Sequence, residues 1–172
     1  SYTLEEVEPP SGYAYSKKIP FTVPQSPKTI EIVMKDKPTN LLVEKLTEAM
    51  VASPSEAEHQ LSGFKLQILN ADKSPAIAAR TTDDFKAGEA LIYTTGNQFK
   101  QLIGQLIAGQ SYWLHEISPR DGYAYAEDVM FTVSLDGRED IVLMVDKPTQ
   151  VIVSKKAITG DNELPGNYMS IR

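Results

Sequence analysis

Residues 1–45 align without a gap onto residues 111–155, and nineteen of the 45 positions are identical. This internal match, at an offset of 110, constrains the fold more than any other feature of the chain. It includes Tyr2/Tyr112, Leu4/Leu114, Glu6/Glu116, the Gly-Tyr-Ala-Tyr runs at 12–15 and 122–125, and Asp-Lys-Pro-Thr at 36–39 and 146–149. A shorter match relates Leu61-x-Gly63-x-x-Leu66-x-Ile68 to Leu164-x-Gly166-x-x-Met169-x-Ile171. A period of this length is domain-sized, whereas solenoid repeats recur every roughly 20–50 residues. The expected organisation is a window on a tandem repeat. Residues 1–39 would be the C-terminal strands of a preceding unit, 40–149 a complete unit, and 150–172 the N-terminal strands of a following one.

Composition removes several function classes. A net charge of −6 argues against a nucleic-acid partner, which needs a basic face. No apolar run approaches the ~18 residues of a spanning helix, so no membrane insertion is expected in this segment. With no cysteine, disulfides, thiol catalysis and Cys-based zinc sites are excluded. His59 and His115 lack metal-ligand spacing and read as surface residues, and Gly-rich phosphate loops are absent. No cofactor and no metal are expected. Residue 1 opens inside a repeat, so a signal peptide or wall anchor would lie outside this window.

The repeated segments alternate with period two, the signature of half-buried strands. Tyr2 to Glu6 and Tyr112 to Glu116 read as strands leading into Pro/Gly turns. Phe21-Thr22-Val23 and Phe131-Thr132-Val133 read as the next strand, and Asp136-Gly137 as a tight hairpin. Ile30 to Asp36 and Ile141 to Asp146 read as return strands, stopped by Lys-Pro-Thr because proline donates nothing to a ladder. Leu41 to Lys45 and Val151 to Lys155 read as opening strands, with a long loop over 46–60. Leu66 to Leu69 reads as a further strand, and residues 83–108 as strand plus turn, since Gly96, Gly104 and Gly109 suit a helix poorly. The expected class is all-β: an Ig-like antiparallel β-sandwich.

Side chains two apart share a face of a strand. Lys45 therefore lies on the apolar face of Leu41 and Val43, Asp146 on that of Val142 and Met144, and Glu116 on that of Tyr112 and Leu114. Glu6 and Asp36 occupy the matching places in the first copy, and Lys155 the matching place after Val151 and Val153. Lys156 is the alternative to Lys155, but it falls on the opposite face. Burying such groups unpaired costs several kcal/mol. Buried amines tend toward the neutral base and buried carboxyls toward the neutral acid. A neutral amine is a nucleophile, a neutral carboxyl an electrophile, and a second carboxyl a proton carrier. Those are the requirements for an amide bond between side chains.

The order Val-x-Lys, Leu-x-Gly-x-x-Leu-x-Ile, Tyr-x-Leu-x-Glu-x5-Gly-Tyr, Phe-x-Val, Met-x-Asp-x-Pro-Thr resembles Cna-B-type repeats. These are the prealbumin-like domains of Gram-positive pilins and adhesin stalks. The resemblance implies a spontaneous intramolecular isopeptide bond between Lys45 and Asp146, with Glu116 as catalytic acid/base. It assigns Glu6, Asp36 and Lys155 the same roles in the incomplete flanking units. It further implies a structural stalk on a Gram-positive cell surface, anchored to the wall, partnered by neighbouring repeats and turning over no substrate. An adhesin module is the alternative, binding a host glycan or matrix protein through insertions at 46–60 and 83–105. A hydrolase using Glu116 and Asp146 is a third possibility.

Overall fold

The computed structural model describes residues 1–53, 60–156, 158–160, 166 and 168–170. His59, and Leu164 and Ile171 of the second match, lie outside the described residues. Among the described residues nine strands run in chain order: β1 Tyr2–Leu4, β2 Ile19–Phe21, β3 Asn40–Thr47, β4 Lys65–Asn70, β5 Ile92–Thr94, β6 Lys100–Ile103, β7 Ser111–Ser118, β8 Val129–Thr132 and β9 Glu139–Asp146. One short helix, α1 Glu48–Ala52, follows β3. One sheet has the order β6-β3-β9, a second β5-β4-β7-β8, and β1 and β2 form a separate two-stranded ribbon. The class is all-β, and residues 83–108 hold β5 and β6 rather than a helix.

The two larger sheets enclose one core. Leu41 and Val43 of β3, Leu102 of β6, and Val142 and Met144 of β9 meet Leu66 and Ile68 of β4 and Tyr112 and Leu114 of β7. The pleat is visible in the alternation of buried and partly exposed residues along β3, β7 and β9. Alternation of this kind aims one side chain in two at the opposite sheet.

Four expectations need correction. First, the sandwich is not wholly antiparallel, because β3 pairs with β9 in parallel over eight positions, from Asn40↔Glu139 to Thr47↔Asp146. Second, Asp136-Gly137 makes a tight turn but no hairpin. Arg138 N donates to Asp136 Oδ1 at 3.2 Å, yet β8 and β9 belong to different sheets, so the turn carries the chain across the sandwich. Third, residues 30–36 and 151–155 form no strands, and Val33, Val151 and Ile152 are exposed. The reason lies in pairing: β9 is ordered by its ladder to β3, whereas among the described residues no strand ladder forms at 30–36 or 151–155. Fourth, the stretch after Lys45 is not simply a loop. Strand β3 continues to Thr47, whose hydroxyl accepts from Met50 N at 3.2 Å and caps α1.

The internal match nevertheless survives as local geometry. Tyr2 stacks on Phe21 with centroids 5.6 Å apart, and Tyr112 on Phe131 at 5.9 Å, both at 26°. The bridge Tyr13↔Pro38 has its counterpart in Tyr123↔Pro148. Gly12 and Gly122 take φ of 85° and 87°, the left-handed region open to glycine.

Candidate functional site

Lys45, Asp146 and Glu116 come together at one end of the core. Each occupies the inward position next along its strand from an apolar residue: Val43 then Lys45, Met144 then Asp146, Leu114 then Glu116. Lys45 faces Met144 in the β3–β9 register, so Asp146 is its diagonal neighbour two residues on. Such diagonal pairs on one face are within reach of a long side chain. Glu116 arrives from the other sheet, paired to Leu66 of β4.

Lys45 Nζ donates to Asp146 Oδ1 at 2.7 Å. It lies 2.7 Å from Glu116 Oε1 as well, an ion contact whose angle is not that of a hydrogen bond. All three side chains are 0% exposed. The ammonium also sits 5.0 Å above the centroid of the Phe64 ring, whose face attracts cations. Phe64 is held in turn by Tyr123, edge-on at 5.2 Å, and by its backbone N–H donating to Thr95 Oγ1 at 3.0 Å. Leu61 N donates to Lys45 O at 2.8 Å and ties down the returning chain. Glu116 is oriented by its second oxygen, Oε2, which accepts from Ala126 N at 2.9 Å.

Electrostatics shift Asp146 in the direction of its neutral form. Burial pushes its carboxyl above the ordinary aspartate value of 3.8, and the negative charge of Glu116 adds to the rise. Lys45 opposes the rise by hydrogen bond and charge without cancelling it. Asp146 Oδ2 is buried and has no hydrogen-bond partner. With both carboxyls ionised the cluster would carry a net negative charge in the core; a proton on Asp146 makes it neutral.

The flanking residues stand differently. Glu6 Oε2 accepts from Ser16 N at 2.8 Å, the counterpart of the Glu116–Ala126 bond. Asp36, however, is exposed, and its Oδ1 accepts from Ser16 Oγ at 2.7 Å. The expected burial of Asp36 is thus corrected, because residues 30–36 form no strand and their side chains are not held against a sheet. Lys155 lies in an exposed stretch without strand structure. Phe64 and Ala126 are site residues that sequence reading missed. Phe64 falls on an unspecified position of the Leu61-x-Gly63-x-x-Leu66-x-Ile68 match, and the Ala126 contribution is backbone alone.

His115 is not an isolated surface histidine. Its Nδ1 lies 2.7 Å from Asp128 Oδ1, and Lys73 Nζ lies 2.6 Å from Asp128 Oδ2 and 3.5 Å from the Trp113 ring centroid. Among the described residues no group of three or more His, Cys, Asp or Glu side chains could hold a metal ion. No helix among them is long and apolar enough to cross a membrane.

No protein-family model matches the sequence, and the search of curated proteins finds no match. Among solved structures, the shaft pilin SpaA from Lactobacillus rhamnosus GG is similar at 18% identity and a TM-score of 0.44, covering 88% of this chain and 65% of that one. The minor pilin GBS52 of Streptococcus agalactiae is similar at 19% identity and a TM-score of 0.46, covering 68% and 48%. The pilus 2b backbone protein of group B streptococcus gives 14% identity and a TM-score of 0.43, covering 82% and 52%. The buried Lys45–Asp146–Glu116 cluster, not these distant likenesses, carries the functional reading.

Proposed function

We propose that residues 40–149 are a load-bearing structural unit that seals itself with an isopeptide bond between Lys45 and Asp146. The observation that carries this reading is the fully buried lysine within 2.7 Å of two carboxyls. As a purely electrostatic device the cluster makes poor sense, since a well-packed apolar replacement is often as stable as a buried ion pair, or more so. As a reaction site every part has a use. Asp146 enters as the neutral acid. Glu116 takes a proton from Lys45 Nζ, and the freed amine attacks Asp146 Cγ. Glu116 then returns the proton to the departing hydroxyl, the C–OH bond breaks, and water leaves. The attacking nitrogen gives up its second proton to Glu116, so the product is a neutral amide beside a protonated Glu116. The event occurs once per molecule, so the unit is no enzyme in the turnover sense.

Position gives the bond its purpose. Lys45 is on the unit's opening strand and Asp146 on its last, so tension along the chain enters near one and leaves near the other. A covalent tie there carries load past the sandwich. This suits one unit of a tandem stalk on the surface of a Gram-positive cell, anchored to the wall, which is the setting implied by the resemblance to Cna-B-type repeats. In this reading residues 1–39 and 150–172 belong to the units before and after, with Glu6, Asp36 and Lys155 as parts of their sites. The test is the intact mass of the denatured chain with Glu116→Ala alongside. The wild type should lie one water below its sequence mass and the variant at full mass; full mass for both defeats the proposal.

A further inference from the structure

The two copies of the Gly-Tyr-Ala-Tyr turn have the same internal geometry but different surroundings. In both, alanine N donates to the lysine carbonyl across the turn: Ala14 N to Lys37 O at 2.8 Å, and Ala124 N to Lys147 O at 3.0 Å. In both, threonine N donates back to glycine: Thr39 N to Gly12 O at 2.9 Å, and Thr149 N to Gly122 O at 2.7 Å. Each turn is therefore a preformed knob. The first is seated on the 40–149 unit. The second is bare.

The seat of the first knob is specific. Gly12 approaches Gly104 so closely that a Cβ on Gly12 would come within 2.8 Å of Gly104 C and nearer still to its carbonyl oxygen. The Arg80 guanidinium covers the Tyr13 ring at 4.6 Å, and Tyr15 N donates to Leu135 O at 2.8 Å. Thr39 Oγ1 donates to Leu106 O at 2.8 Å. Gly137 has no side chain where one would stand 3.1 Å from Ala14 Cβ. Ala14 is 0% exposed as a result. In the second copy Ala124 and Thr149 are exposed, nothing would meet a Cβ on Gly122, and Tyr125 is 68% exposed where Tyr15 is 39%.

We infer that the Gly122–Tyr125 turn with Thr149 is a docking knob whose partner is the Gly104–Arg80–Gly137 ledge of another copy of the 40–149 unit. The first knob demonstrates the fit, because the same residues already rest on that ledge. The grooves beside the knobs agree. The first, lined by Tyr15, Ser16 and Lys37, also takes in Asp136 from the unit that receives the knob; the second is lined by Tyr125, Ala126 and Lys147 and by other residues of its own unit. Two small residues, glycine and alanine, let backbone meet backbone, and an arginine–tyrosine contact fixes rotation. Such a joint would set successive units at one angle instead of leaving them on a free linker. The inference rests on the tandem reading above but not on the isopeptide bond.

The test uses full-length chains. A 15N-labelled chain carrying Gly12→Val, Ala14→Arg and Ala124→Arg has its own ledge unseated and its own second knob blocked. Unlabelled wild-type chain, which presents its second knob, is titrated in to about 1 mM, the effective concentration a tethered knob experiences. Amide shifts should appear at Gly104, Leu106 and Gly137. They should vanish when the titrant carries Ala124→Arg, a change at an exposed position that leaves its fold intact. No shifts, or equal shifts with both titrants, overturn the inference. Should the triple variant fail to fold, Ala14→Arg with Ala124→Arg alone serves as the labelled chain under the same criteria. Intact mass recorded on the same samples reads the cross-link separately, so either claim can fail while the other stands.

Discussion

Replacing Glu116 with glutamine isolates the covalent tie from the packing around it. Glutamine keeps the volume and an oxygen to accept from Ala126 N, but it cannot take the proton that Lys45 must lose. The Lys45–Asp146 pair then stays an ion pair at 2.7 Å. The bond lost would have closed a span of 101 residues. Chain-entropy reasoning for a loop of about 100 residues gives about 4.7 kcal/mol of stabilisation. For a unit near this size each kcal/mol shifts the melting temperature by roughly 4–8 °C, so a loss of roughly 20–40 °C is expected. Thermal unfolding followed by circular dichroism reads the shift, and intact mass on the same sample reads the bond. A variant still one water light would show that Glu116 is not the proton carrier. A variant at full mass melting within a few degrees of wild type would refute the stabilising role of the tie.

Other consequences can be measured independently. Before the bond forms, the folded chain holds the Asp146 proton more tightly than the unfolded chain does. The uncross-linked protein should therefore keep its stability below the ordinary aspartate value of 3.8 and lose it as pH rises through the raised value. Lys45→Met, which cannot cross-link and has lost the group that lowers Asp146, should show this fall in urea midpoints, while the sealed wild type lacks the Asp146 contribution. Pulled from its ends by force spectroscopy, wild type should withhold the 45–146 span, whereas Glu116→Gln should release roughly 350 Å more contour at about 3.5 Å per residue. Phe64→Ala should destabilise by about 3–5 kcal/mol and slow cross-linking, since it removes the floor beneath the Lys45 ammonium. Lys73→Ala, which removes a partly exposed pair with Asp128, should change stability by less than about 1 kcal/mol.

The strands that carry the site were legible because the pleat is a strict rule. Once Leu41 and Val43 are assigned to the core, Lys45 must follow them, and the same holds for Asp146 after Met144 and Glu116 after Leu114. Sheet membership was not legible in the same way. Alternation says which face a residue takes but not which strand lies beside it, so the parallel β3–β9 ladder was not foreseen, and Asp136-Gly137 passed for a hairpin turn. The partial copies misled for a related reason. Residues 30–36 and 151–155 have strand-like sequences, but a strand needs a partner, and pattern alone does not supply one. Phe64 and the Ala126 amide escaped because their contributions are a ring face and a backbone group, neither marked by residue spacing.

The central claim is chemical, and one mass spectrum addresses it. Wild-type chain, folded to completion and then denatured, should weigh one water less than its sequence, and its digest should contain one branched peptide joining Lys45 to Asp146. A full sequence mass, with Lys45 and Asp146 in separate linear peptides, would contradict the account.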